Sequence, residues 1–234
     1  MSSNEDDIRL KAENLDLRRL LAKAGIDAAQ HEVTERLQRI MMEELHHRVK
    51  NILATVQAIA SQSLKSAHSI EEGRVALESR LHALGRVHDL LLRVHWSAAK
   101  LETILSAGVE PFVTPEASQI TLRCADIEVA PTAALPLAMV LNELCTNAVK
   151  YGALSCPRGR VDITATVPAS DSLFVLSWIE SGGPPVTEPA RRSFGSKLIE
   201  HAFVHQLQAK AYLDFDPTGV RYQLEIPLAT LQPE

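Results

Sequence analysis

Residues 135–155 read LPLAMVLNELCTNAVKYGALS. Wound as a helix at ~100° per residue, the stretch gathers Leu137, Val140, Leu141, Leu144 and Ala148 on one side, the spacing of a helix that covers a core. The pattern predicts a helix over 133–151. Glu143 and Asn147, four residues apart, share another face. A carboxylate and a carboxamide one turn apart can hold a hydrated magnesium ion, because hard cations take oxygen ligands. Lys150 follows within reach of a phosphate, and Tyr151 ends the helix. The plainer alternative is an exposed polar pair of the kind found on many helices.

Outward from this helix the pattern changes period. Strand-like alternation appears at 120–122, 160–167, 173–178, 211–215 and 222–226, with a second helical pattern at 195–207. Strands mixed with a few helices predict an α+β layer over residues 100–234, a sheet with helices on one face. Two short motifs lie within it. In SWIESGGPPV, residues 177–186, a strand carrying Trp178 and Glu180 runs into Gly182 and Gly183. Such glycines let a backbone approach a flat ligand, and a carboxylate there can accept a hydrogen bond from an exocyclic amine. In SFGSKLIE, residues 193–200, Phe194, Gly195 and Ser196 open a helix whose free N–H groups form an anion site. Singly, the first is also a turn and the second also a capped helix start. Pro184, Pro185 and Pro189 mark an irregular loop.

On the other side of 135–155 the chain reads as helix. Residues 41–99 predict two long helices, from about Met41 to Leu64 and from Ser69, where Ser69 with Glu72 makes a capping box. Joined by a short link they form an antiparallel hairpin, and two hairpins close a four-helix bundle. In the first of them, EELHHRVKNILATVQAIA (43–60), the apolar stripe is Leu45, Val49, Ile52, Val56, Ile59 and Ala60. His47 falls opposite it, towards solvent, beside Arg48, Lys50 and Asn51. Packing explains such a histidine poorly; a reaction with a visiting anion explains it well, since Arg and Lys steady phosphate oxygens. A surface histidine without a task is the alternative. Residues 1–40 carry Leu10, Asn14, Leu17, Leu21, Ala24 and Ala28 at alternating four- and three-residue spacings, a short heptad register with Asn14 at a core position. Gly25 weakens this helix and the register shifts before Val33, Leu37 and Ile40. A dimeric coiled coil and a single helix packed on its own domain both fit.

Composition sets the outer bounds. The 234 residues, 46% apolar and 23% charged, fit a soluble globular protein of one large or two small domains. A net charge of −5 argues against a general nucleic-acid binder. No apolar run approaches a bilayer-spanning length and the N-terminus is acidic, so a cytoplasmic protein is expected. Cys124, Cys145 and Cys156 lack metal-type spacing and are expected to be reduced. With aromatics at 4%, the core must be built from Leu, Val, Ile and Ala.

The order HHRVKN, NELCTNAVKYGAL, WIESGGP, FGSKLIE, with RLHALGRVHDLLLRVHW (80–96) between the first two, resembles the HWE group of sensor histidine kinases, from about Glu43 to Ile226. The resemblance implies a dimerisation and phosphotransfer hairpin followed by a GHKL-type ATP-binding domain, an α/β sandwich of the Bergerat type. It implies that His47 is the phosphoacceptor, and that Glu143 and Asn147 form the N-box pair that organises magnesium and triphosphate. Lys150 and Tyr151 match the end of that box. Trp178 and Glu180 are the group's Trp-x-Glu, with Glu180, Gly182 and Gly183 at the adenine and Gly195 and Ser196 near the phosphates. Residues 184–192 would be a short ATP lid. The implied reaction is autophosphorylation from ATP-Mg, then transfer to an aspartate of a response-regulator receiver domain; Glu143 could orient His47 or the metal waters. The chain departs from the group twice: Asn142 stands where the N box usually begins with His, and Ser193 where the phosphate-side motif usually begins with Gly. Both leave room for a non-catalytic phosphotransfer or scaffold protein with a degenerate nucleotide domain. An ATPase-like member of the same broad fold would leave His47 without purpose. A homodimer, and an upstream sensor acting through the N-terminal helix, are expected.

Overall fold

The computed structural model describes residues 2–67, 69–113, 119–168, 172–188 and 207–233, with side chains before residue 33 described at Leu17 and Leu20 alone. The chain divides into two compact units, Met1–Gln57 and Ala58–Glu234.

The first unit is the greater part of α1, a continuous helix Ser2–Ser66. It does not break at Gly25, nor does a new helix begin at Met41. One interior glycine costs a helix about 1 kcal/mol, too little to interrupt so long a run of good helix formers. The side chains of Asn14 and the early heptad positions lie outside the described residues. Further along, Val33, Leu37, Ile40, Met41, Leu45, Val49 and Leu53 are all exposed. Of the stripe expected to face a core, Leu45 and Val49 are exposed, Ile52, Val56 and Ala60 are half-buried, and Ile59 is buried.

In the second unit α2 spans Ile70–Arg93. Ser69 caps it as expected, its Oγ accepting from the Glu72 backbone N–H at 3.1 Å. At the other end His95 and Trp96 take positive φ of 52° and 58°, which stops the helix, and the Trp96 ring meets His88 edge-on at 5.2 Å. Helix α3 (Leu101–Val109) follows, with Leu101, Ile104 and Leu105 fully buried. It was not anticipated, because its stripe is only two turns long. A two-stranded ribbon, β1 (Ala99–Lys100) against β3 (Glu128–Val129), brackets it.

The main sheet has the order β2-β4-β5-β7-β6, built from β2 (Ile120–Cys124), β4 (Arg160–Thr166), β5 (Leu173–Ser181), β6 (Lys210–Asp216) and β7 (Gly219–Pro227). Only β2 and β4 run parallel; the remaining pairs are antiparallel. β2, β5, β6 and β7 run two to four residues longer than expected, and β4 ends one residue short at Thr166. Their buried sets keep the two-residue period: Val161, Ile163 and Ala165; Phe174, Leu176 and Trp178; Tyr222, Leu224 and Ile226. They join α4 (Pro131–Tyr151) and α3 in one hydrophobic core. Helix α4 buries Leu137, Val140, Leu141, Leu144 and Ala148 as its spacing requires. The chain is thus a helical N-terminal region followed by an α/β sheet domain. Among the described helices α4 alone is long and apolar enough to cross a bilayer. No apolar run of that length is expected from the sequence; most of α4 is buried inside the protein.

Helix α2 packs on α4 and, less extensively, on α3. Its Val87 and Leu91 belong to the main core, so part of the hairpin face expected to await a second copy is covered by the chain itself.

Candidate nucleotide and phosphoacceptor sites

Strand β5 ends with a carboxylate on its buried face. Phe174, Leu176, Trp178 and Glu180 alternate inward, and Glu180 is 5% exposed. Its Oε2 accepts from the Ala153 backbone N–H at 2.8 Å and its Oε1 from the Trp178 indole Nε1 at 3.2 Å. Each oxygen keeps a lone pair for a ligand donor. Burial pushes the Glu180 carboxyl above the usual carboxylate range, and the two hydrogen bonds oppose that shift. The family resemblance marked Trp178 and Glu180 as a motif; the alternation of β5 puts both on the buried face, where they hydrogen-bond. The role of Ala153 was not legible, because a backbone N–H carries no sequence signature. A β-carbon on Gly152 would strike the Glu180 carboxylate, so this glycine, ending α4, also serves the site.

Gly182 takes φ +68°, and a β-carbon there would lie 2.8 Å from the Arg158 carbonyl oxygen. The turn after β5 therefore requires glycine for its own backbone, beside any close approach by a flat ligand. Gly183 packs directly on Ala153.

On α4, Asn147 is half-buried, while Lys150 and Tyr151 are exposed. Glu143 lies elsewhere than a solvent-facing pair would. It is 3% exposed, and both oxygens face the Arg80 guanidinium of α2, Oε1 to Nε at 2.7 Å and Oε2 to Nη2 at 2.8 Å. The remaining guanidinium nitrogen, Nη1, donates to the buried Ser63 Oγ at 2.7 Å. Asn142 sits on the same interface, its amide within 3.4 Å of Ser79 Oγ and of Arg86 Nη2. The residue that replaces the group's histidine thus spends its side chain on helix packing. Sequence reasoning missed Arg80 and Ser63, although a signal existed. Arg80 shares a helical stripe with the buried Leu84, Val87 and Leu91, and an arginine there calls for a buried acid.

Among the described residues no three acidic, histidine or cysteine side chains converge on a metal site. That suits magnesium, which keeps waters and phosphate oxygens and needs one or two protein ligands. The Asn147 amide oxygen fits such a role. Both Glu143 oxygens already accept from Arg80, and the carboxylate is buried between α2 and α4. Ser193, Phe194, Gly195, Ser196 and residues 189–192 of the expected lid lie outside the described residues. The three cysteines are free thiols, and burial holds the Cys145 thiol far above its ordinary range.

His47 lies in the first unit and is exposed. Arg48 pairs with Glu44 one turn back, Nη2 to Oε1 at 2.8 Å. Such helix-surface pairs are worth about 0.3–0.5 kcal/mol, so a phosphate could displace the carboxylate.

Residues 44–126 match the HWE histidine kinase family. The chain is 33% identical over 204 residues to a blue-light-activated histidine kinase of Brucella ovis, and over 205 residues to that of Brucella anthropi. The alignments cover 86% and 87% of this chain but 42% of each relative, so the chain spans under half of their length. In structure it resembles the histidine kinase domain of an Erythrobacter litoralis blue-light activated histidine kinase, with TM-score 0.53 and 19% identity over 76% of this chain and 84% of that one. This last likeness bears on the fold alone.

Proposed function

Because the chain belongs, through residues 44–126, to the HWE histidine kinase family, we propose that it autophosphorylates His47 from ATP-Mg and passes the phosphoryl group to an aspartate of a response-regulator receiver domain. The observation that carries this reading is His47 itself, exposed on α1 inside the matched stretch. In the second unit, the buried carboxylate of Glu180 supports a site for an adenine amine.

In the proposed reaction a neutral His47 nitrogen attacks the γ-phosphorus with its lone pair. The bond from that phosphorus to the β–γ bridging oxygen breaks, ADP leaves with the electron pair, and the ring loses its N–H proton to water. Positioning and charge neutralisation do most of the catalysis. Glu180 would accept from the adenine amine, with Trp178 and Ala153 fixing its orientation. Gly182 and Gly183 would let the base lie close to the backbone, and Lys150 and Tyr151 would border the phosphates with Phe194, Gly195 and Ser196. Asn147 would hold magnesium, joined by Glu143 when that carboxylate is free; the ion supplies charge neutralisation on the triphosphate. The receiver carboxylate then attacks the phosphorus on His47 and the P–N bond breaks. The open stripe of Val33, Leu37, Ile40, Leu45 and Val49 on α1 fits a second copy of the chain, giving a homodimer. The heptad region before it fits coupling to an upstream sensor.

The test is ATP-Mg-dependent, acid-labile labelling of the chain, followed by loss of label to an added receiver domain. A second reading, a non-catalytic phosphotransfer protein, draws on the engagement of Glu143 by Arg80. Calorimetric titration with ATP-Mg separates the two, since the second predicts no binding.

A further inference from the structure

The buried pair between α2 and α4 is poorly explained as a stabiliser. Taking two charges out of water costs about as much as their attraction returns, and apolar residues of similar volume commonly do as well. Its surroundings favour that replacement: Ala83, Leu84 and Val87 of α2 and Leu144 of α4 are buried and apolar. What the pair does achieve is orientation. The fork of Arg80 takes both oxygens of Glu143 in a two-pronged contact. The buried Ser63 hydroxyl accepts from the third nitrogen and fixes the fork in its plane. One turn further along α4, Asn147 is half-buried, and its side chain makes no hydrogen bond to a described residue. Two N-box positions that the proposed reaction would use together are thus in different states.

We propose that Arg80 is a positioning residue for the kinase reaction: it commits the Glu143 carboxylate to α2, and opening of the Arg80–Glu143 pair is the step that frees Glu143 for phosphoryl transfer. The device needs no new group. An unpaired buried carboxylate is costly, so Glu143 released from Arg80 turns towards water or a hydrated cation. The Asn142 contacts to Ser79 and Arg86 run along the same interface, so a shift of α2 against α4 would loosen both. Such a shift couples the hairpin helix to catalysis through a differential contact rather than through distance.

This inference rests on the kinase reading above, and its experiment separates the two. The 234-residue wild type, Arg80→Gln, Arg80→Lys and Ser63→Ala are compared for the rate of acid-labile labelling from ATP-Mg, with kcat and KM resolved and folding checked by thermal denaturation. The expected result is a rise in kcat of at least about five-fold in Arg80→Gln, smaller rises in Arg80→Lys and Ser63→Ala, and little change in KM for ATP. A residue that merely holds the fold would lower melting temperature and kcat together. Should Arg80→Gln fail to fold, Ser63→Ala decides, because it keeps the Arg80–Glu143 pair and removes the hydroxyl that accepts from Nη1. An active wild type whose folded variants show unchanged or lower kcat overturns the role of Arg80 alone. An unlabelled wild type overturns the kinase reading and this inference with it.

Discussion

Trp178 and Glu180 lie two residues apart on β5, and the indole N–H of one donates to the carboxylate of the other at 3.2 Å inside the core. The strand period places both on the buried face, so the aromatic ring supplies packing and its nitrogen orients the acid. Trp178→Phe keeps most of the ring and removes the donor. The variant should lose about 1–3 kcal/mol of stability in denaturant titrations and bind ATP-Mg more weakly in calorimetry.

Glu180→Gln removes an acceptor and places an amide donor against the Ala153 or Trp178 N–H. ATP affinity should fall by roughly ten-fold or more, the worth of a hydrogen bond to a charged group. The pH dependence carries a sign. Burial raises the folded-state pKa of Glu180 above its ordinary 4.5, so the native state holds that proton more tightly than the unfolded chain does. Its stabilising contribution is complete below 4.5 and is lost as pH climbs through the raised value. Stability of wild type minus Glu180→Gln should therefore fall as pH rises through that window, while wild-type ATP affinity rises as the carboxylate ionises. Cys145 of α4, the titratable neighbour that feels the Glu180 charge, stays protonated throughout because burial raises its pKa.

The pair between α2 and α4 admits a double-mutant cycle. Arg80→Met leaves Glu143 charged and buried, and should cost about 3–5 kcal/mol in urea unfolding. Arg80→Met with Glu143→Leu replaces both partners by apolar volume and should recover most of that loss. A double variant as unstable as the sum of its singles would show that the two residues do not interact.

Ser69→Ala tests the start of α2. Losing the Oγ acceptor of the Glu72 N–H should cost about 1 kcal/mol in the same assay.

Much of this arrangement was legible in the chain, because elements whose neighbours are close in sequence announce themselves. The stripe of Leu137, Val140, Leu141 and Leu144 marked α4, the two-residue period marked β4, β5 and β7, and Ser69 with Glu72 marked the start of α2. Features that depend on distant partners were harder to see. Glu143 looked like half of an exposed pair with Asn147, because helical spacing says which residues share a face and not what covers it. The covering arginine is 63 residues away in the chain, and its stripe position beside Leu84 and Val87 was the clue. The stripe around Leu45 and Val49 read as core-facing, yet these residues are exposed in the single chain.

The central claim is that His47 accepts the phosphoryl group of ATP. Wild type and His47→Gln are incubated with γ-labelled ATP and magnesium, and acid-labile, base-stable label is counted after denaturation. The expected result is label on wild type and none on His47→Gln, with ATP binding by calorimetry equal in the two. Label that persists in His47→Gln at the wild-type level would contradict the claim and place the acceptor elsewhere.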